Sequence, residues 1–201
     1  MIEAIILDWG GVIEEGTDDR FYREIGKPNG ITRDEFLKVV HPLEAKYDTE
    51  PDSSGFWEGI RRELDIDIPD EELIRAYNCP EKIPHVYDFI KQLAETYNVY
   101  LLSNQCADRT AHIKAHNDLS FFKETFFSSD TGMFKSSPDT FLYMLEQIGV
   151  KGENALFIDN TRKWLYVAQE AGLNSLLFTT LDELKSDLNA YDIQSHAAVT
   201  Y

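Results

Sequence analysis

Two carboxylates, a hydroxyl, an amide and an ammonium group follow the apolar, β-rich runs of this sequence. Their residues are Asp8, Ser103, Asn104, Lys135 and Asp159. Each of them alone is more typical of a turn, a helix cap or a solvated loop. Ligands of open α/β sheets, however, bind beyond the carboxyl ends of the strands. The repeated placement of such residues after strands therefore predicts that they share one rim of a sheet.

This set of groups suits phosphoryl transfer. Two carboxylates can hold Mg²⁺, which prefers hard oxygen ligands and keeps several waters. The metal and Lys135 would offset the charge of a phosphate, while the Ser103 hydroxyl and backbone amides would fix its oxygens. One carboxylate could attack phosphorus in line and form an aspartyl-phosphate, which water then hydrolyses.

The elements that must position these groups alternate between strands and helices. Strands are predicted at residues 2–7, 99–102, 125–127, 155–158 and 175–178. Amphipathic stretches predict helices near 84–96, 107–117, 138–149, 162–171 and 180–190. Ser137-Pro138 is typical of a helix start, and Gly149 and Gly172 are typical of helix ends. This alternation favours an α/β fold with a parallel sheet that is buried on both faces.

Residues 14–83 interrupt this rhythm. The stretch is polar, contains no convincing strand, and shows helical patterns near 18–25, 32–47, 54–64 and 69–77. Because it follows the first strand directly, we expect a small helical subdomain inserted there. The last ten residues are expected to form a tail.

Composition limits the partners and the location of the chain. Its 201 residues carry 19 Lys and Arg against 36 Asp and Glu, a net charge of −17, which disfavours nucleic acid and anionic membranes as partners. No apolar run approaches the roughly 20 residues that span a bilayer, and the first residues lack the features of a secretory signal. Cys79 and Cys106 are isolated thiols, so a cytoplasmic location is predicted.

Four segments resemble, in order, the four motifs of the haloacid-dehalogenase superfamily. They are residues 7–13, 100–104, 132–141 and 155–160. The first is similar to an apolar strand followed by Asp-x-Asp-Gly-[Thr/Val], and the second, which contains Ser103, is similar to a motif that ends in Ser or Thr. The third carries Lys135 ahead of Pro138-Asp139, and the fourth is followed by a helix with Ala168 and Gly172. One such motif is weak evidence, whereas four with fitting intervals are strong.

The resemblance implies a Rossmann-like, doubly wound core of residues 1–13 and 84–201 and a helical cap of residues 14–83. It also implies a Mg²⁺-dependent phosphatase that acts on a small phosphorylated metabolite. A monomer or homodimer is expected. Asp8 would be the nucleophile, and Ser103 and Lys135 would hold the phosphate. Asn104 and Gly11 would complete the substrate site. Asp8, the carbonyl of Gly10 and Asp159 would bind the metal.

Three positions depart from the family pattern. Gly10 replaces the second aspartate of the first motif, which protonates the leaving group. Such a general acid typically increases the reaction rate on the order of 10²–10⁴-fold. Asn160 replaces the second acid of the fourth motif, and Trp164 stands where many relatives have Asn. Metal affinity is therefore expected to be reduced rather than lost. A glycine in the first motif also occurs in relatives similar to sugar-phosphate phosphatases, whose anomeric leaving groups need less protonation.

Two other functions remain open at this stage. A 2-haloacid dehalogenase would use Asp8 to attack carbon without a metal, although such relatives usually carry Tyr where this chain has Gly10. A catalytically impaired binding protein would explain the three departures together.

Several further residues have both a functional and a structural interpretation. His112 and His116 have zinc-compatible spacing, but a solvated helix face is favoured. The Glu14-Glu15 pair could supply a substitute acid, but a solvated turn at the hinge is favoured. Trp9 and Trp57 could line a cleft between cap and core, but packing is the commoner role of such side chains.

Overall fold

The computed structural model describes residues 1–79 and 81–194. Five strands form one all-parallel sheet in the order β3-β2-β1-β4-β5. The strands are β1 (Ala4–Leu7), β2 (Asn98–Ser103), β3 (Glu124–Phe127), β4 (Ala155–Asp159) and β5 (Asn174–Leu177). The chain moves outward from β1 through β2 to β3 and then returns to the other side of β1 with β4 and β5. This is the doubly wound, Rossmann-like topology that the sequence predicts.

The central strand explains why the sheet forms. All four residues of β1 are buried, as expected of a strand covered by helices on both faces. Leu7 is in register with Leu101 of β2 and with Ile158 of β4. Asp8, Ser103 and Asp159 therefore emerge at the same rim of the sheet.

Six helices accompany the sheet. They are α5 (Val86–Leu93), α6 (Ala107–His116), α7 (Ser128–Thr131), α8 (Pro138–Ile148), α9 (Arg162–Glu170) and α10 (Leu181–Asn189). Two separate hydrophobic clusters, which contain alternate residues of β1, fill the space between the sheet and the helices. Ser137 accepts a hydrogen bond from the Asp139 amide at the start of α8, and Gly149 and Gly172 adopt positive φ after α8 and α9. These three helix ends agree with the sequence prediction.

Four helices occupy the stretch between β1 and α5. They are α1 (Thr17–Phe21), α2 (Arg33–Tyr47), α3 (Ser54–Leu64) and α4 (Asp70–Tyr77), with a π-helical turn at Tyr22–Gly26. Thr32 and Glu35 form a reciprocal capping box at the start of α2. The buried faces of these helices form a third cluster around Phe21, Phe56 and Trp57.

The helix α7 and a 3₁₀ turn at Gly152–Asn154 were not predicted. The four residues of α7 are too few to show a helical period, so the sequence carries no signal for it. Within residues 1–79 and 81–194, no helix combines the length and apolar character needed to cross a bilayer. Of the predicted tail, residues 192–194 are described, and Ile193 is buried in a hydrophobic cluster of the core. Residues 195–201 lie outside the described residues.

Candidate active site

Two predicted site residues contact Asp8 at the rim of the sheet, and a third, Asp159, is joined to this cluster through Lys135. Ser103 Oγ donates a hydrogen bond of 2.8 Å to Asp8 Oδ1, and Lys135 Nζ lies 2.9 Å from the same oxygen. The Lys135 ammonium also donates to Asp159 Oδ2 at 2.8 Å. Lys135 is 1% exposed, so it is not the solvated loop residue that its type alone suggests. Asp159 is fully buried, and its Oδ1 accepts a hydrogen bond of 2.7 Å from the Thr161 amide, as a turn aspartate does.

Burial and mutual attraction set the charges of this cluster. Burial by itself lowers the pKa of Lys135, but attraction to Asp159 and Asp8 and hydrogen bonds to both leave that pKa above its ordinary value. Burial raises the pKa of Asp159 to about 6, although the nearby Lys135 ammonium opposes the rise. Lys135 is therefore held as an ammonium ion between two acids.

Neighbouring polar groups fix the loops that carry these side chains. Asn104 Oδ1 accepts a hydrogen bond of 3.0 Å from the backbone amide of Lys135 and so ties the loop after β2 to the loop before α8. Gln105 Nε2 donates to Ser103 Oγ at 3.1 Å. Ser128 Oγ accepts from the Gln105 amide at 2.9 Å. The Ser103 hydroxyl, which donates to Asp8, therefore also accepts a hydrogen bond from Gln105, and the Gln105 backbone is itself held by Ser128.

The two glycines after Asp8 differ in their surroundings. Gly11 has φ of +77°, and a β-carbon there would lie 2.1 Å from Asn160 Nδ2. Its amide donates to the Glu14 carbonyl, so Gly11 lines the cleft rather than offering a free donor. Gly10 is less constrained, because a β-carbon there would meet only Gln105 Nε2, at 3.8 Å.

The oxygen atoms of this rim fit a hard divalent cation. Asp8 Oδ1 accepts from Ser103, Lys135 and the Trp9 amide, whereas no described residue donates to Asp8 Oδ2. In the following turn the Trp9 carbonyl accepts the amide hydrogen bonds, and no described group donates to the Gly10 carbonyl. With the Asp159 carboxylate, these atoms are the kind of ligand set that Mg²⁺ prefers.

A cleft of about 1360 Å³ opens above the rim. Its floor includes Asp8, Gly10, Gly11, Asn104, Lys135 and Asn160, and its opposite wall comes from α1, α2 and the π-helical turn. Trp164 also lines the cleft and packs edge-on against Phe134, with ring centroids 5.6 Å apart. Trp9 and Trp57 are instead buried in hydrophobic clusters, in agreement with the favoured packing role.

Sequence reasoning missed the acidic wall of the cleft. Asp18 Oδ2 of α1 lies within hydrogen-bond distance, 2.9 Å, of His41 Nε2 of α2, and Glu44 accepts a hydrogen bond of 2.8 Å from the Tyr77 hydroxyl. Asp48, at the end of α2, is 5% exposed. The available signal was the spacing of positions 41, 44 and 48, which places three polar side chains along one side of a helix.

One favoured interpretation was wrong in part. Glu15 is exposed, as expected of a solvated turn, but Glu14 is buried and forms a salt bridge with the buried Arg109. Arg109 lies 95 positions away in sequence, so no local pattern reveals this pairing. His112 and His116 stack with ring centroids 4.1 Å apart on α6.

Comparison with known proteins decides the family. The family model of haloacid dehalogenase-like hydrolases matches residues 2–172. The chain belongs to the haloacid dehalogenase-like hydrolases. The four sequence motifs and the doubly wound sheet agree with this membership.

Relatives of this hydrolase differ in the reactions for which they are named. The chain is 23% identical over 207 residues to a D-ribitol-5-phosphate phosphatase of Bacteroides thetaiotaomicron, covering 87% of this chain and 91% of the relative. A HAD family enzyme from the same bacterium, solved with magnesium and inorganic phosphate, superimposes with a TM-score of 0.71 at 24% identity; the match covers 92% of this chain and 99% of that chain. An L-2-haloacid dehalogenase of Xanthobacter autotrophicus gives 0.65 at 18% identity, over 94% and 83% of the two chains. At these identities the structural matches support the shared fold.

Proposed function

We propose that this hydrolase is a Mg²⁺-dependent phosphomonoesterase that acts on a small phosphorylated metabolite, with Asp8 as its nucleophile. The observation that carries the proposal is the buried Lys135 ammonium, which lies within 2.9 Å of carboxylate oxygens of both Asp8 and Asp159. Such an ammonium beside a nucleophile and a metal ligand suits a transferring phosphoryl group, where charge spreads over three oxygens.

The residues of the chain have distinct roles in this proposal. Asp8 attacks phosphorus and becomes an aspartyl-phosphate, which water hydrolyses. Ser103 and Lys135 hold the phosphate oxygens. Asn104 positions the Lys135 loop through its Oδ1, and no described residue engages its Nδ2, which leaves that amide available to the substrate. Gly11 lines the floor of the phosphate site and keeps side-chain bulk away from it.

The metal would be held by Asp8, the Gly10 carbonyl and Asp159. When bound, Mg²⁺ supplies positive charge that offsets the phosphate and the two carboxylates. Asn160, in place of a second acid, lowers the negative charge available to the metal. We therefore expect Mg²⁺ binding to be weaker than in a site with both acids.

The relatives support a sugar or polyol phosphate as substrate. One relative is named for D-ribitol 5-phosphate, and a structural neighbour was solved with magnesium and inorganic phosphate. Residues 14–83 would act as the cap, because their helices supply the wall of the cleft that faces the rim. The cap would therefore select the part of the substrate beyond the phosphate. We further propose a cytoplasmic monomer or homodimer.

The test is phosphate release from a panel of phosphorylated sugars and polyols and from p-nitrophenyl phosphate, with Mg²⁺ or with EDTA. Wild type should release phosphate only with Mg²⁺, and Asp8→Asn should release none. Undiminished release by Asp8→Asn would contradict the role of the nucleophile.

The fold shared with a haloacid dehalogenase supports one alternative. In that reaction Asp8 would attack carbon and displace halide. Chloride release from 2-chloropropionate with EDTA present, without phosphate release from any ester, would replace the phosphatase proposal by this one.

A further inference from the structure

Release of a poor leaving group, such as the alkoxide of a polyol phosphate, calls for a proton donor at the departing oxygen. When Asp8 displaces an alcohol from phosphorus, the departing oxygen develops negative charge that a positioned acid can neutralise. Ser103 and Lys135 are both directed toward Asp8 Oδ1. Gly10 has no side chain with a proton to give. The donor must therefore come from elsewhere in the cleft.

Most carboxyl groups on the opposite wall already have partners. Asp18 is paired with His41, and Asp19 with Arg33 at 2.7 Å. Glu44 accepts the hydrogen bond of the Tyr77 hydroxyl. Glu15 is exposed on the rim of the cleft.

Asp48 differs from all of these acids. It lines the same cleft as Asp8 and is 5% exposed, yet its Oδ1 is buried without a hydrogen-bond partner among the described residues. A buried oxygen without a partner is costly and requires an explanation. Burial also raises the pKa of Asp48 to about 8, with the Lys135 ammonium opposing, so its carboxyl group keeps a proton at neutral pH. Burial also raises the pKa of Glu44, which lies one turn earlier on α2, and the nearby Asp48 carboxyl group raises it further.

The backbone of Asp48 is tied to the floor of the site. Its carbonyl accepts a hydrogen bond of 2.6 Å from Ser128 Oγ, and its amide donates to the Glu44 carbonyl at 2.8 Å. The same Ser128 hydroxyl accepts from the Gln105 amide, and Gln105 in turn contacts Ser103. Three hydrogen bonds thus connect the end of α2, through Ser128 and Gln105, to Ser103, which donates to Asp8.

We propose that Asp48 is the general acid and base of this hydrolase and reaches the leaving-group oxygen from the end of α2. The inference rests on the proposed phosphatase function. In the first step Asp8 forms a bond to phosphorus, the ester P–O bond breaks, and the Asp48 proton passes to the departing oxygen, which leaves as an alcohol. In the second step water attacks the aspartyl-phosphate and gives a proton to the Asp48 carboxylate. The P–O bond to Asp8 breaks, and phosphate and both carboxyl groups are restored.

The test is the dependence of kcat/KM on leaving-group pKa for p-nitrophenyl, phenyl and ethyl phosphate, in the full-length protein with Mg²⁺. For phenyl and ethyl phosphate, Asp48→Asn should lower kcat/KM by about 10²–10⁴-fold, the usual contribution of such a group. It should change the value for p-nitrophenyl phosphate little, because that leaving group departs without a proton. Asp48→Glu should restore part of the loss, and Glu44→Gln should shift all three esters by a similar factor.

Each outcome separates the two proposals. If Asp48→Asn lowers kcat/KM equally for all three esters, or does not lower it, the role of Asp48 is overturned. The phosphatase proposal then still holds, provided that phosphate release by wild type depends on Asp8. Absence of release by wild type from every ester would overturn the phosphatase proposal and the role of Asp48 with it. Thermal unfolding of each variant identifies losses of activity that are caused by misfolding. If Asp48→Asn does not fold, the comparison of the three esters in Asp48→Glu decides the role of Asp48.

Discussion

Replacement of Lys135 by methionine removes the ammonium between Asp8 and Asp159 and nearly preserves the volume of the side chain. Lys135 Nζ lies 2.9 Å from Asp8 Oδ1 and 2.8 Å from Asp159 Oδ2. At an effective dielectric constant of about 20, each contact corresponds to roughly 6 kcal/mol of attraction. The cost of burying three charges offsets much of this attraction. The breaking of a buried ion pair typically costs about 3–5 kcal/mol, because the remaining charge is left uncompensated.

This loss is large enough to measure as a shift in Tm. For a chain of this size, 1 kcal/mol corresponds to about 2–4 °C, so Lys135→Met should unfold roughly 6–20 °C below wild type at about pH 8 in EDTA. Circular dichroism can follow the transition. The matched control is Lys135→Met combined with Asp159→Asn, which removes one of the two uncompensated charges and should recover part of the difference.

The pH dependence gives an independent check of the cause. In the folded state, burial raises the pKa of Asp159 to about 6, above its unfolded value, and the loss of Lys135 raises it further. The folded variant therefore binds protons that the unfolded chain releases, and its stability rises as the pH falls. The difference from wild type should shrink near pH 5. A Tm equal to that of wild type at pH 8, or a difference independent of pH, would refute this reasoning.

Two further predictions concern the packing of the core. Gly11→Ala should destabilise the fold by at least about 1 kcal/mol, because its φ is +77° and its new β-carbon would meet the Asn160 side chain. In thermal unfolding, the control variant Gly10→Ala should have a Tm within a few degrees of wild type. Equal losses of Tm in both variants would contradict the difference in backbone constraint between the two glycines. Cys106 is buried, and burial raises the pKa of its thiol to about 12. An aromatic disulfide reagent should therefore modify only the half-buried Cys79 in the native protein. After unfolding, it should modify both thiols. Rapid modification of two thiols in the native state would contradict the burial of Cys106.

Much of the core could be predicted from the sequence because its signals are local. A strand buried on both faces is a continuous apolar run, and β1 and β4 are such runs. Parallel strands bring the residues that follow them to one rim of the sheet, so this shared position can be predicted without knowing any tertiary contact. Asp8 and Asp159 are the clearest examples. Asp8 directly follows β1, and Asp159 is the last residue of β4.

The contacts between distant segments could not be predicted in the same way. Asp48 and Ser128 are 80 positions apart, and nothing in either segment indicates that the end of α2 reaches the end of β3. The burial of Glu14 depends likewise on Arg109, which arrives from another helix. Such pairings follow from how the inserted helices pack against the core, and a single sequence contains no periodic signal for that packing.

Chemical trapping of the phosphoryl group would show directly whether Asp8 is the nucleophile. Wild type is mixed with ³²P-labelled substrate and Mg²⁺, quenched in acid within one turnover, and digested for peptide mapping. Label should appear on the peptide that contains Asp8, and Asp8→Asn should show neither label nor turnover. Phosphate release by Asp8→Asn at the wild-type rate, or label on a different residue, would contradict this role of Asp8.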